Sequence, residues 1–180
     1  MANNDVALMG HLMRRAGFGA QYHELEARAA KGYEETVEEL LHPTDDTHGM
    51  DLDLAERYFI EWNHHIRCVP EYIAFRMVNS KSQLEEKMIL FWHGILCTAD
   101  SKTQSQVASY TEWEMLRRCG LGSFKDLLIE ISKDPAMVYF LDNCLSHKDA
   151  INENYGRELL ELFSLGVGMD GEFNLSLIHI

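Results

Sequence analysis

Proline is scarce, with three residues in 180: Pro43, Pro70 and Pro135. Leu, Met, Glu and Ala are plentiful, and that balance favours helix over strand. Cysteine is sparse and scattered. Cys68, Cys97, Cys119 and Cys144 form no Cys-x-x-Cys pair, so zinc-knuckle and thioredoxin-type readings have no basis. A chain of this size with 46% hydrophobic residues does not need a disulfide framework, and four buried thiols in a reducing compartment is the plain reading. Positive charge is in the minority. Sixteen Lys and Arg against 29 Asp and Glu give 16 − 29 = −13, which argues against nucleic acid or an anionic membrane as partner. No apolar run approaches the ~20 residues of a membrane span. Met1 to Asp5 lacks a basic start followed by an apolar stretch, so no signal peptide is expected and the chain as it stands reads as cytoplasmic.

What is present is a succession of amphipathic stretches between short polar turns. Asp5 is expected to cap a first helix that ends before Gly17 and Gly19. Helices are expected over 21–30 and 33–41, the latter ending before Pro43. Thr44 to Asp53 reads as a loop and Leu54 to Ile66 as helix. Pro70 opens another over 71–78. Ser82-Gln83-Leu84-Glu85 resembles a capping box before a helix from Leu84 to Cys97. Thr98 to Ser105 reads as loop, and helix returns over 106–118 until Gly120-Leu121-Gly122. Ser123 with Asp126, and then Asp134-Pro135, signal two further starts. Asn152 to Ser164 is the last helix, closed by Gly166 and Gly168. The expected fold is all-α, an irregular multi-helix bundle, incomplete at its C-terminus.

Three segments could carry chemistry. In Arg14-Arg15-Ala16-Gly17-Phe18-Gly19 the glycines could turn backbone amides toward an anion, although a capped corner with Phe18 as its plug explains the same residues. In the second segment, Met88, Phe91, Trp92 and Ile95 recur at helical spacing as a buried stripe. His93 at its edge lies four residues from Cys97. No third metal ligand is near, so a histidine satisfied by one hydrogen bond is expected rather than a metal. In the third, Ile151, Tyr155, Leu159 and Leu162 form a core face, while Arg157 can pair with Glu153 or Glu161. Asn154 and Glu158 occupy the flank between. A solvated ion-pair stripe stands beside the functional reading, a half-buried polar cluster that holds a ligand or a partner helix. No Glu-x-x-His pair, Gly-x-Ser-x-Gly, Walker loop, dinucleotide fingerprint or His-Glu-x-x-His is present.

In order, the stretches from His11 to Gly19, from Glu86 to Leu96, from Leu121 to Asn143 and from Asn152 to Gly168 resemble a bacterial family, domain of unknown function 1800. The resemblance covers nearly all of residues 8 to 174. It implies a helical domain, often exported, whose genes often lie beside those of a sulfatase-like family, domain of unknown function 1501. It carries over no catalytic residue. This chain departs from the pattern at Ile151, where proline is common, at Gly156, where alanine is usual, and at Gly94, where a larger polar residue is common.

The resemblance also implies a few hundred further residues. On that footing residues 1–174 are expected to be the N-terminal part of one helical domain. The tail Leu175-Ser176-Leu177-Ile178-His179-Ile180 is what CTG TCT CTT ATA CAC ATC, a transposon-end sequencing adapter, would encode, so a non-native end is expected. Two functions compete. One is a non-catalytic scaffold that binds a partner, such as the sulfatase-like neighbour. The other is an enzyme or ligand-binding domain of envelope or polysaccharide metabolism. Its polar site would be built from Trp92 and His93 on one helix and Asn152, Glu153, Asn154, Arg157 and Glu158 on another. Neither reading specifies a cofactor.

Overall fold

The structure is a computed structural model and describes residues 2–42, 59 and 68–166. Among these the regular elements are helices, with no strand; the only pairing of β type is an isolated bridge between His147 and Ala150. The expected loop from Thr44 to Asp53, the helix from Leu54 to Ile66 (Phe59 apart), Gly168 and the 175–180 tail lie outside the described residues. The chain divides into two compact units, Met1–Leu90 and Phe91–Ile180.

The first unit holds α1 (Ala2–Ala16), α2 (Tyr22–Lys31), α3 (Tyr33–Leu41), α4 (Cys68–Asn79) and all but the last turn of α5 (Gln83–His93). α1 begins three residues before the expected cap, leaving Asp5 inside the first turn, where its charge still suits the helix dipole. α1 ends where Gly19 turns to φ +98° and gives its N–H to the Met13 carbonyl at 3.1 Å. Met9, Leu12 and Met13 of α1 bury against Leu40 of α3, with Leu25, Ala29, Val37 and Leu84 closing the cluster.

α4 starts at Cys68, three residues before the expected Glu71, because Pro70 is tolerated within a first turn where its missing N–H is not needed. Its Arg76 meets Glu86 of α5 at 2.9 Å and also donates to the Tyr72 hydroxyl at 2.9 Å. Both charges are buried, so each depends on the other. That pair orients α5. Glu86 and Ile89 face inward, while Phe91 is half exposed and Met88, Trp92 and Ile95 are only partly covered. The expected stripe of Met88, Phe91, Trp92 and Ile95 is therefore corrected: a buried ion pair takes the inward face of the first turns. α5 also stops at His93, short of Cys97. Gly94 follows, and the Trp92 carbonyl accepts from both Ile95 (3.0 Å) and Leu96 (2.7 Å).

The second unit continues with α6 (Asp100–Thr103), α7 (Gln106–Cys119), α8 (Phe124–Lys133), α9 (Pro135–Phe140) and α10 (Asn154–Glu158). The segment expected as loop thus contains the single turn α6, ended by Gln104 at φ 48°. Ser105, Ser123 and Asp134 cap α7, α8 and α9 by accepting from backbone N–H groups two or three residues on. α9 packs on α6, α7 and α8. Leu116, Leu127, Ile131, Ala136 and Met137 are the buried core there.

The last helix differs most from expectation. It begins at Asn154 rather than Asn152 and widens to π geometry over Leu159–Ser164, with Leu165 N–H reaching the Leu160 carbonyl at 2.9 Å. A π turn adds a residue per turn and advances the register. Phe163 is consequently buried, whereas Leu162 and Ile151 of the expected core face stand exposed. The thiol expectation is corrected as well: Cys68 is buried, Cys119 is half-buried, and Cys97, past the end of α5, and Cys144, in a single 3-10 turn over Asn143–Leu145, are exposed.

Candidate functional site

The candidate residues of the second unit fall into two groups. Trp92 donates its Nε1–H to the Gly120 carbonyl at 2.7 Å and stacks on Phe124 at 5.6 Å between centroids. A Cβ on Gly120 would lie 2.6 Å from the Leu116 carbonyl oxygen and 3.0 Å from Trp92 Cδ1. Glycine is required there because the indole closes on bare backbone. His93 stacks on Trp113 at 4.6 Å, and burial lowers its pKa, which keeps the imidazole neutral at neutral pH. Among the described residues no three His, Cys, Asp or Glu side chains are grouped to hold a metal ion.

Asn152, Asn154, Arg157 and Glu158 form the second group. Asn152 Nδ2 donates to the Asp142 carbonyl at 2.8 Å, and its Oδ1 accepts from Asn154 N–H at 2.9 Å. Asn154 Nδ2 reaches the Leu141 carbonyl at 3.4 Å, and its Oδ1 accepts from Arg157 at 2.9 Å. Arg157 also pairs with Glu158 at 3.0 Å and, more loosely, with Glu161 at 3.9 Å. The asparagines thereby tie the start of α10 to the end of α9. Asn152, Glu153, Asn154 and Arg157 line a shallow groove of about 600 Å³ together with Leu145, Ala150 and Ile151. Trp92 and His93 bond and stack on the α7–α8 region, whereas the asparagines bond to residues 141 and 142. Among the described residues Trp92 and His93 on one side and Asn152, Asn154, Arg157 and Glu158 on the other share none of the hydrogen-bond or ring partners given above.

One buried group escaped the sequence reading. Glu112 on α7 has no solvent exposure. Thr98 donates its hydroxyl to Oε2, while Oε1 is buried without a hydrogen-bond partner. Burial, with the nearby Asp134 carboxylate adding to it, pushes the Glu112 pKa up to about 8 against the Thr98 hydrogen bond. Burial likewise raises the pKa of Asp134, opposed by the Ala136 and Met137 N–H groups it caps. A signal existed: Ala108, Glu112, Met115 and Leu116 recur at helical spacing, which puts a carboxyl on an apolar face.

Two amides of the Gly-Phe-Gly corner, in the first unit, are already engaged. Phe18 N–H points to Gln83 Oε1 at 3.4 Å, and Gly19 N–H is held by Met13.

The profile of a family described as "Protein of unknown function (DUF1800)" matches residues 11–172. No curated protein matches the chain, and no solved structure does.

Proposed function

The chain belongs to the DUF1800 family of proteins of unknown function, and from that premise we propose that it is a non-catalytic helical scaffold that binds a partner protein. The observation that carries this reading is the state of the groove beside α10. Its asparagine amides are engaged by backbone and by Arg157, while Leu145 and Ile151 stand 66% and 67% exposed at its edge. Apolar side chains beside internally satisfied polar groups suit a protein surface better than a polar small molecule. The first partner to test is the sulfatase-like protein whose genes the resemblance places alongside.

The alternative, an enzyme or ligand-binding domain of envelope or polysaccharide metabolism using both candidate groups, requires one ligand to reach Trp92–His93 and Asn152–Glu158 together. Affinity capture with tagged chain and the sulfatase-like neighbour separates the two. Retention of the neighbour, lost with Leu145→Asp and Ile151→Asp, is the expected result. Passage of the neighbour unbound at micromolar concentration overturns the reading.

A further inference from the structure

The first unit contains a cleft that neither reading uses. It measures about 820 Å³, within the range of roughly 300–1,000 Å³ typical of small-molecule sites. Its walls are fixed from within. Gln83 accepts from Phe18 N–H and donates to the Ser80 and Met77 carbonyls. A Cβ on Gly17 would come within 2.9 Å of Gln83 Cβ, so the chain passes Gln83 with no room to spare.

The lining chemistry is specific. Four charged residues face the cleft, Glu24, Arg28, Glu39 and Lys81, so its formal charge is 2 − 2 = 0 in a chain of −13. Arg28 donates Nε–H to Glu24 at 3.1 Å and is ion-paired through Nη1 with Glu39 at 3.6 Å, a carboxylate that Lys31 also holds. Gln21 stands at the N-cap position of α2 without a capping bond, so its amide can both donate and accept. Beside these groups lie apolar surfaces: Phe18, 42% exposed with the Lys87 ammonium 4.9 Å from its ring centroid, together with Met77 and the exposed Val78, and Leu40 buried behind them.

Balanced charge disfavours an ion as ligand. Interleaved donors and acceptors suit hydroxyl groups, each of which does both. A half-exposed ring beside aliphatic side chains, with Lys87 over it, can take the C–H face of a sugar ring on the side the ammonium leaves open. We propose that this cleft binds an uncharged saccharide, with Phe18 as the stacking surface and Gln21, Glu24 and Arg28 as its hydrogen-bonding wall. The proposal does not depend on the partner-binding reading.

Titration calorimetry of the whole chain with maltose, cellobiose and diacetylchitobiose tests it, with hexanoate and inorganic phosphate as charged comparators. At least one disaccharide should saturate with Kd on the order of 1 mM or tighter. Phe18→Ala, at an exposed position, should weaken it by about tenfold or more, whereas Lys81→Gln should change it less than about threefold. An unchanged circular dichroism spectrum confirms that each variant folds. The proposal is overturned if no disaccharide binds at about 20 mM, if a charged comparator binds more tightly, or if Phe18→Ala retains wild-type affinity.

Discussion

Glu112 shows how one residue can set a pH response. In the unfolded chain its carboxyl titrates near 4.5, and in the folded chain near 8. Folding therefore favours the protonated form. Its contribution to stability is fully present below about pH 4.5, declines as the unfolded chain ionises, and is lost as pH rises through about 8. Asp134, whose pKa burial also raises, acts in the same direction. Urea midpoints measured at pH 5, 7 and 9 should fall with pH, and Glu112→Gln should flatten that slope. A wild-type midpoint independent of pH would remove the account. The Trp92–Gly120 contact gives a second test. Trp92→Phe keeps most of the ring but loses the indole donor and should cost about 1 kcal/mol in chemical denaturation. Gly120→Ala forces a Cβ against the Leu116 carbonyl and should cost about 1–3 kcal/mol. The sequence carried Trp92 and His93 as candidates but not their partners. Gly120 and Trp113 lie 28 and 20 residues further on (120 − 92 and 113 − 93), and no local spacing encodes that distance.

Among the elements, the two helix starts signalled by Ser123 and by Asp134-Pro135 were legible, whereas the starts of α1, α4 and α10 and the end of α5 were not. Ser123 and Asp134 occupy the expected N-cap positions because a side-chain oxygen that accepts from the first turn is a local property, written in adjacent residues, and Ser105, read only as loop, caps α7 in the same way. Asp134→Ala should accordingly destabilise the chain by about 0.5–2 kcal/mol in thermal unfolding, since two N–H groups lose their acceptor. A change smaller than a few tenths would mean that water or a neighbour replaces the cap. Faces were misread as well. On α5 the buried Arg76–Glu86 pair takes the inward positions, and a periodicity count that treats glutamate as solvent-facing misses it. After Glu158 the backbone widens to π, so counting on from Tyr155 selects Leu162 where Phe163 is buried.

For the molecule as a whole, the charge of −13 decides what kind of encounter is possible. No described helix is long and apolar enough to cross a membrane, and exposed apolar residues stand at the α10 groove. An acidic protein repels other acidic surfaces over about 10 Å at 0.1 M salt, and attracts basic ones over the same range. Association with a partner that presents basic residues should therefore be fast at low salt, with a rate that falls as salt rises. Contacts made by Leu145 and Ile151 are not screened, so dissociation should change little with salt. Surface plasmon resonance of the chain with its captured partner, from about 20 to 500 mM NaCl, resolves the two rates. Leu145→Asp should speed dissociation and leave the salt dependence of association in place. A dissociation rate that climbs steeply with salt would instead place the contact on the acidic surface and away from the apolar groove.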